Sequence, residues 1–170
     1  MPKTPTRRTD GALASAVAKT PWGWARVWAS ERGVTALEWP LSRRPASQAA
    51  GAGATRLAER AVAQVVEYLE GRRRSFDVPV DWSGLPDFSR AVLQACGRVP
   101  YGKTLSYGEL AAQAGRPRAA RAVGQVMARN RLPLILPCHR ILAHDGSLGG
   151  YGLGLGLKQH LLDLEAKGKR

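Results

Sequence analysis

The first half of the chain changes from alternating to helical spacing of its apolar residues. Residues 24–29 and 33–39 are rich in aromatic and β-branched side chains, and the polar tripeptide 30–32 between them predicts a hairpin turn. From 56 to 70 apolar residues recur every three or four positions, which predicts an amphipathic helix that ends at Gly71. The remaining predictions for this half are a loop over 40–55 and a short strand over 76–80.

The second half is predicted to be mainly helical. Residues 88–97 have helical spacing, and the Ser-x-x-Glu sequence at 106–109 is a capping box that begins a further helix. Gly115 ends that helix, and another is predicted over 118–129, so the two form a helix-turn-helix pattern. The remaining predictions are a buried strand over 132–137, a turn at 145–146, a glycine-rich loop over 149–156 and a closing helix over 158–167.

Proline, glycine and small polar residues mark the predicted domain boundaries. Residues 1–20 contain proline among mixed polar residues and are predicted to be a flexible tail. Residues 81–86 have the composition of a linker. The sequence therefore predicts two domains, at 21–85 and 86–170.

The composition is that of a folded, basic protein. Apolar residues make up 44% of the 170 positions, and the net charge is +13. Such a charge favours an anionic partner, most commonly nucleic acid, although a general arginine bias is the open alternative. There are two cysteines, no signal-peptide pattern and no apolar run of about 20 residues, which predicts an intracellular, cytoplasmic protein without a membrane span.

The second helix of the helix-turn-helix pattern combines arginines with very small residues. Arg118 and Arg121 are suited to phosphate contacts, and Ala119, Ala120 and Gly124 allow a helix to approach a groove closely. The alternative is an alanine-rich packed helix with a solvated basic face. The net charge of the chain favours nucleic acid.

Cys138 is the candidate for chemistry. A lone cysteine is usually a small buried hydrophobe, but Cys138 is followed by His139 and Arg140, and neighbouring cations favour the reactive thiolate. Adjacent residues of a strand point to opposite faces, so a contact between Cys138 and His139 requires a turn, which Pro137 favours. The local pattern fits both a buried cysteine and a reactive thiol.

Metal and nucleotide sites are not predicted. The cysteines and the histidines at 139, 144 and 160 lack the paired spacing of metal ligands. The glycine-rich loop matches neither a phosphate-binding loop nor a dinucleotide fingerprint.

The segment 137–141, Pro-Cys-His-Arg-Ile, resembles the signature of the O6-alkylguanine-DNA alkyltransferases, also called methylated-DNA–protein-cysteine methyltransferases. Segments 99–104, 106–111 and 121–124 match further motifs of that family in the same order. The resemblance runs from about 76 to 165 and is looser in the N-terminal half. It implies an α/β (α+β) protein, with a ribonuclease-H-like N-terminal domain followed by a helical, winged-helix-like C-terminal domain that contains the helix-turn-helix.

The resemblance also implies roles for individual residues. Cys138 matches the nucleophile that accepts the alkyl group, and His139 matches the base that takes the thiol proton through a water molecule. Glu165 matches the carboxylate that orients this histidine, which is the arrangement of an activated nucleophile. Asn130 matches the residue that braces the turn before the active-site segment. No cofactor is implied.

Further residues are matched to DNA binding and to the alkyl pocket. Tyr107 matches the tyrosine that aids nucleotide rotation and donates a proton toward N3 of the departing guanine, and Arg121 matches the arginine that fills the space of the flipped nucleotide. The small residues Ala119, Ala120 and Gly124 would lie in the minor groove of the DNA. The residues matched to the pocket are Pro133, Tyr151, Gly152 and Leu153, of which Leu153 interrupts a run of small residues usual in the family.

The expected function is direct reversal of DNA damage in a prokaryotic cytoplasm. A monomer would transfer the alkyl group of O6-alkylguanine, and also of O4-alkylthymine, from double-stranded DNA to Cys138, once per molecule. One alternative is a non-catalytic damage-recognition protein, whose members lack the cysteine. Another is a winged-helix transcription regulator, which would need no pair between His139 and Glu165.

Overall fold

The computed structural model describes residues 11–168, and these divide after Gly84 into two compact units. The N-terminal unit is an antiparallel sheet in the order β1 (Ala14–Thr20), β2 (Gly23–Ser30) and β3 (Gly33–Leu41), with helix α1 (Ala52–Leu69) packed against it. The hairpin predicted from the alternating pattern is therefore confirmed. None of the helices in the described part of the chain is long and apolar enough to span a bilayer.

Strand β1 corrects the prediction of a flexible tail over 1–20. Residues 14–20 pair along their whole length with β2, from Ala14 opposite Ala29 to Thr20 opposite Gly23. The segment is alanine-rich and has little intrinsic strand propensity, so its pairing partner decides its structure. Residues 1–10 lie outside the described residues.

Helix α1 begins four residues before its predicted start, and its first turn explains why. Its N-cap is Gly51, which has no side chain to cap the helix. The carboxylate of Glu31, from the hairpin turn, occupies the positions that side chains on Gly51 and Gly53 would need. A carboxylate there complements the positive end of the helix dipole, and this contact with a distant residue has no local sequence signal.

The strand predicted over 76–80 is wrong. Only an isolated bridge joins Val80 to Val34, in which the backbone of Val34 donates to Pro79 and accepts from Asp81. Pro79 has no N–H group to continue a ladder, which limits the pairing to this one position.

The C-terminal unit is built around three short helices that pack on one another: α2 (Asp87–Gly97), α3 (Tyr107–Gln113) and α4 (Ala120–Ala128). Two-residue strands β4 (Leu105–Ser106) and β5 (Ile141–Leu142) pair in parallel. The unit closes with helix α5 (Leu155–Lys167).

The predicted capping box is present, since Ser106 and Glu109 each bond the backbone of the other. Two helix starts and one predicted strand differ from the predictions. Helix α4 begins at Ala120 rather than 118, because a turn closed by the bond from Ala119 N to Arg116 O comes first. Helix α5 begins at 155 rather than 158. Residues 132–137 are buried as predicted but form turns rather than a strand, since Leu134 has a φ of 70°.

Candidate active site

Cys138 begins a single 3₁₀ turn, Cys138–Arg140, directly after Pro137. The backbone N–H of Cys138 donates to Leu136 at 2.7 Å, and the side chain is 8% exposed. The turn that Pro137 predicts is therefore confirmed. Cys138 is thus buried, and its neighbour His139 has no solvent exposure.

Asn130 spans the turns that lead to Cys138. Its Nδ2 donates to the carbonyl of Leu136 at 2.9 Å, and its Oδ1 accepts from the backbone of Leu132 at 3.0 Å. The segment between contains Leu134 in the left-handed region, which costs a non-glycine residue about 1 kcal/mol or more. One side chain thus ties together the two ends of a strained loop that carries the cysteine.

His139 and Arg140 both bind one buried carboxylate. Nε2 of His139 lies 2.8 Å from Oε1 of Glu165, and Arg140 donates to the same oxygen from Nη2 at 2.7 Å. Nη1 of Arg140 donates to the carbonyl of Val99, and the backbone of Gly102 donates to Oε2 of Glu165 at 2.8 Å. Both oxygens of Glu165 thus accept hydrogen bonds, Oε1 from His139 and Arg140 and Oε2 from Arg140 and Gly102.

The electrostatics of this cluster set the histidine tautomer. Burial raises the pKa of Glu165, but the hydrogen bonds from His139 and Arg140 outweigh it and bring the pKa to about 2. An ionised carboxylate only accepts hydrogen bonds, so Nε2 of His139 carries the proton that joins them. Burial lowers the pKa of His139 against the opposing effect of Glu165. A neutral imidazole with Nε2 protonated can take a proton at Nδ1.

The thiol of Cys138 is not a preformed thiolate. Burial raises its pKa, against a hydrogen bond from Asn130 and the charge of Lys158. The guanidinium of Arg140, the neighbouring cation that the sequence suggested for the thiolate, hydrogen bonds to Glu165 and Val99. Deprotonation of Cys138 therefore needs a base. Burial also raises the pKa of the second cysteine, Cys96.

A tyrosine and a glycine-rich loop lie beside the cysteine. Tyr107, the first residue of α3, donates its hydroxyl to the carbonyl of Gly150 at 3.4 Å. A Cβ on Gly149, whose φ is 64°, would lie 3.2 Å from the Tyr107 ring. Burial raises the pKa of Tyr151 well above its ordinary value, and ionisation of Cys138 would raise it further. Both tyrosines expected from the sequence are close enough to Cys138 for its ionisation to raise their pKa values.

Lys158 is the site residue that the sequence analysis missed. It has no solvent exposure, and its ammonium donates to the carbonyls of Ile141 and Leu148, and to Gly150 at 3.2 Å. A lysine in an amphipathic helix normally signals the solvent face. No pattern in the sequence distinguishes this one.

Apart from Tyr107, the residues expected to contact DNA lie in helix α4 or just before it. Arg118 and Arg121 are exposed, Arg121 in the first turn of α4, and the half-exposed Ala119 precedes the helix. A Cβ on Gly124 would meet no atom within 4 Å, so internal packing does not require a glycine there. Of the other expected residues, Ala120 begins α4, Pro133 is buried in the turns before Cys138, and Gly152 and Leu153 lie in the loop before α5.

Comparison with known proteins agrees with this arrangement. Residues 87–167 match the sequence model described as 6-O-methylguanine DNA methyltransferase, DNA binding domain. A methylated-DNA–protein-cysteine methyltransferase of Mycolicibacterium paratuberculosis is 46% identical over 107 residues, which cover 63% of this chain and 64% of that protein. The sequence match thus spans less than two thirds of this relative.

Solved structures extend the likeness to nearly the whole chain. Mycobacterium tuberculosis O6-methylguanine methyltransferase has a TM-score of 0.76 at 34% identity and covers 92% of this chain and 94% of its own. The OGT of the same organism in complex with DNA also has a TM-score of 0.76, at 36% identity, and covers 89% and 92% of the two chains. The chain belongs to the O6-methylguanine-DNA methyltransferase family, and the predicted fold class, a sheet-containing domain followed by a helical domain, is confirmed.

Proposed function

We propose that this chain repairs alkylated DNA by moving the alkyl group, above all methyl, from O6 of guanine to Sγ of its own Cys138. We include O4 of alkylated thymine as a second substrate. The observation that carries the proposal is the turn at 138–140, which places a cysteine beside a buried histidine already oriented by an ionised glutamate. Family relatives that bear the name methylated-DNA–protein-cysteine methyltransferase support it.

The geometry supports the following sequence of events. The thiol of Cys138 passes its proton through a water molecule to Nδ1 of His139, while Glu165 holds the protonated Nε2. Sγ forms a bond to the alkyl carbon as the bond from that carbon to O6 breaks, and the electron pair goes to the guanine. Tyr107 donates a proton toward N3 of the departing base, so guanine leaves as a neutral molecule. The thioether is stable, so each molecule reacts once and needs no cofactor.

Binding to double-stranded DNA would come from the helix-turn-helix of α3 and α4, through the minor groove. The base must leave the stack before Sγ can reach it, at a cost of a few kcal/mol. Arg121 would fill the space that the flipped nucleotide leaves in the base stack, and Tyr107 would assist the rotation of that nucleotide. Arg118 would contact phosphate. The open space over Gly124, the half-exposed Ala119 and Ala120, and the net charge of +13 support this orientation.

The alkyl group would occupy a pocket formed by Pro133, Tyr151, Gly152 and Leu153. We assign DNA binding and transfer to the C-terminal domain at 86–170, separate from the N-terminal domain at 21–85, and expect the chain to act as a monomer. Because its substrate would be chromosomal DNA, we place it in the cytoplasm.

The decisive experiment is incubation with a duplex that contains one O6-methylguanine, followed by mass spectrometry of tryptic peptides. We expect one added methyl on peptide 132–140, which contains Cys138, and none on the peptide that contains Cys96. The variant C138S should bind the duplex but take up no methyl. Folded protein that leaves the duplex methylated would contradict the proposal. If the variant C138S kept the full activity of the wild type, that result would favour the alternative of a transcription regulator.

Base flipping is tested separately with the variant R121A. It should lower the rate of methyl transfer more than the affinity for undamaged duplex, and affinity should fall as salt rises because phosphate contacts release counterions. Equal losses of rate and affinity would argue that Arg121 serves only as a phosphate contact.

A further inference from the structure

The segment 99–104, between helix α2 and strand β4, contains a β-turn that contacts the buried carboxylate of Glu165. The backbone N–H of Lys103 donates to the carbonyl of Pro100 at 3.0 Å and closes the turn. Its third residue, Gly102, has a φ of 70°, while its second residue, Tyr101, has a negative φ. This combination defines a type II turn, which requires a positive φ at the third residue.

The turn contacts both charges of the ion pair between Glu165 and Arg140. The backbone N–H of Gly102 donates to Oε2 of Glu165 at 2.8 Å. The carbonyl of Val99 accepts from Nη1 of Arg140 at 2.6 Å, and the ring centre of Tyr101 lies 5.7 Å from the guanidinium carbon, within the range of cation–π attraction. Residues 99–102 thus hold the pair that orients the histidine.

The bond from Gly102 distinguishes one oxygen of Glu165 from the other. Nε2 of His139 donates to Oε1, whereas the N–H of Gly102 donates to Oε2. Arg140 donates to both oxygens, at 2.7–3.0 Å, and so favours neither. The contact with Gly102 therefore opposes rotation of the carboxylate away from His139.

The type of turn decides where this N–H points. Types I and II differ by about 150° or more in ψ of the second residue and in φ of the third, which rotates the peptide group between them by roughly half a turn. In a type I turn the carbonyl of Tyr101, instead of the N–H of Gly102, would face the carboxylate and repel it. A side chain at position 102 favours that outcome, because a positive φ is strained for residues other than glycine, with asparagine the best tolerated.

We propose that Gly102 is a positioning residue for alkyl transfer: its left-handed conformation directs its backbone N–H at Oε2 of Glu165 and keeps Oε1 in place for the imidazole of His139. The proposal rests on the transfer reaction proposed above. It connects the turn in segment 99–104 with a carboxylate 63 positions farther along the chain.

Three variants separate the conformation of the turn from the N–H itself. G102A favours the type I turn, and G102N tolerates the left-handed conformation and retains the N–H. Replacement of Gly102 by glycolic acid, introduced by nonsense suppression, exchanges the N–H for an ester oxygen without adding a side chain. G146A is the matched control, because Gly146 has a φ of 81° and a Cβ there would meet nothing within 4 Å. Thermal unfolding of each variant identifies a temperature at which all are folded.

The first readout is the imidazole of His139 in protein without DNA, observed by long-range ¹H–¹⁵N NMR. Wild type, G102N and G146A should show the tautomer protonated at Nε2, with a slowly exchanging, hydrogen-bonded proton. G102A and the ester should broaden or lose that signal. A glycine that only stabilised the turn would lower the unfolding temperature without altering the imidazole.

The second readout is the single-turnover rate of methyl transfer from an O6-methylguanine duplex at saturating protein. The rate should fall about tenfold or more in G102A and in the ester, because the base is no longer oriented, and should stay within about threefold of wild type in G102N and G146A. Saturation separates this effect from a change in affinity for DNA.

A folded G102A with the imidazole signal and transfer rate of G146A would overturn the proposal. So would a G102N variant that loses as much rate as G102A, since the added side chain would then be responsible. If G102A does not fold, the ester decides, and a wild-type signal and rate in the ester would refute the role of the N–H. Wild-type protein that takes no methyl from DNA would refute the proposed function instead. The imidazole signal would then still report whether Gly102 orients Glu165.

Discussion

Oε1 of Glu165 accepts a hydrogen bond from Nε2 of His139 at 2.8 Å, with both side chains withdrawn from solvent. Arg140 donates to the same oxygen, so the carboxylate charge is balanced without a proton on the histidine. The sharing of this carboxylate between Arg140 and His139 matters for the chemistry. A histidine that paired alone with a carboxylate would become protonated more readily. The arginine allows Glu165 to orient the imidazole while the imidazole stays a base.

Replacement of Glu165 by glutamine should therefore affect stability and chemistry together. E165Q leaves the buried guanidinium of Arg140 without a counter-charge, and we expect the free energy of unfolding of the C-terminal unit to fall by about 3 kcal/mol. Methyl transfer should slow by at least about tenfold, because the tautomer of His139 is no longer fixed. Urea unfolding followed by helical circular dichroism measures the first effect, and methylation of peptide 132–140 the second. D163N, on an exposed position of the same helix, should change neither.

The same carboxylate predicts the acid sensitivity of the C-terminal unit. The pKa of Glu165 is about 2 in the folded chain, against an ordinary 4.5, so the unfolded chain binds the proton first as pH falls. Its contribution of about 3 kcal/mol is complete above about pH 4.5 and lost as pH falls toward about 2. Wild type should lose more stability than E165Q over this window. Equal losses would show that folding does not lower the pKa of Glu165. Tryptophan fluorescence follows the N-terminal unit separately, because all 5 tryptophans lie there.

Gly149 should be needed both for the loop conformation and for the position of Tyr107. Alanine at a φ of 64° is strained by about 1–2 kcal/mol, and its Cβ would lie 3.2 Å from the tyrosine ring. G149A should therefore destabilise the protein by this amount and slow methyl transfer. G150A is the matched control, since a Cβ on Gly150 would meet nothing within 4 Å. A G149A variant that transfers methyl as fast as G150A would show that the position of Tyr107 does not limit the reaction.

The features that could be predicted from the sequence depend on a few neighbouring residues. The capping box at Ser106 and Glu109 is closed within four residues, and the turn at Cys138 follows from Pro137. The pair formed by His139 and Glu165 joins residues 26 positions apart. No spacing rule links them, and only the family resemblance suggested the contact.

The features that could not be predicted depend on contacts between distant segments. Strand β1 is alanine-rich and forms because β2 pairs with it. The start of α1 depends on Glu31, a residue about 20 positions earlier in the chain. Lys158 has the local pattern of a surface lysine, and only the fold places carbonyls around its ammonium. In each case tertiary contacts, and not the intrinsic propensity of the local sequence, determine the structure that forms.

Gly124 offers a test of how closely DNA approaches α4. It lies in the middle of a nine-residue helix, where glycine is less favourable than alanine by about 0.5–1 kcal/mol, and a Cβ there would meet nothing within 4 Å. G124A should therefore stabilise the C-terminal unit. If the minor groove lies directly over this position, the added methyl should nonetheless weaken binding to undamaged duplex by about 1 kcal/mol, or roughly fivefold. Because stability and affinity are expected to change in opposite directions, partial unfolding cannot produce the weaker binding. Thermal unfolding and a duplex titration of the same preparation measure the two effects, and a stabilised G124A with wild-type affinity would place the DNA away from this face of the helix.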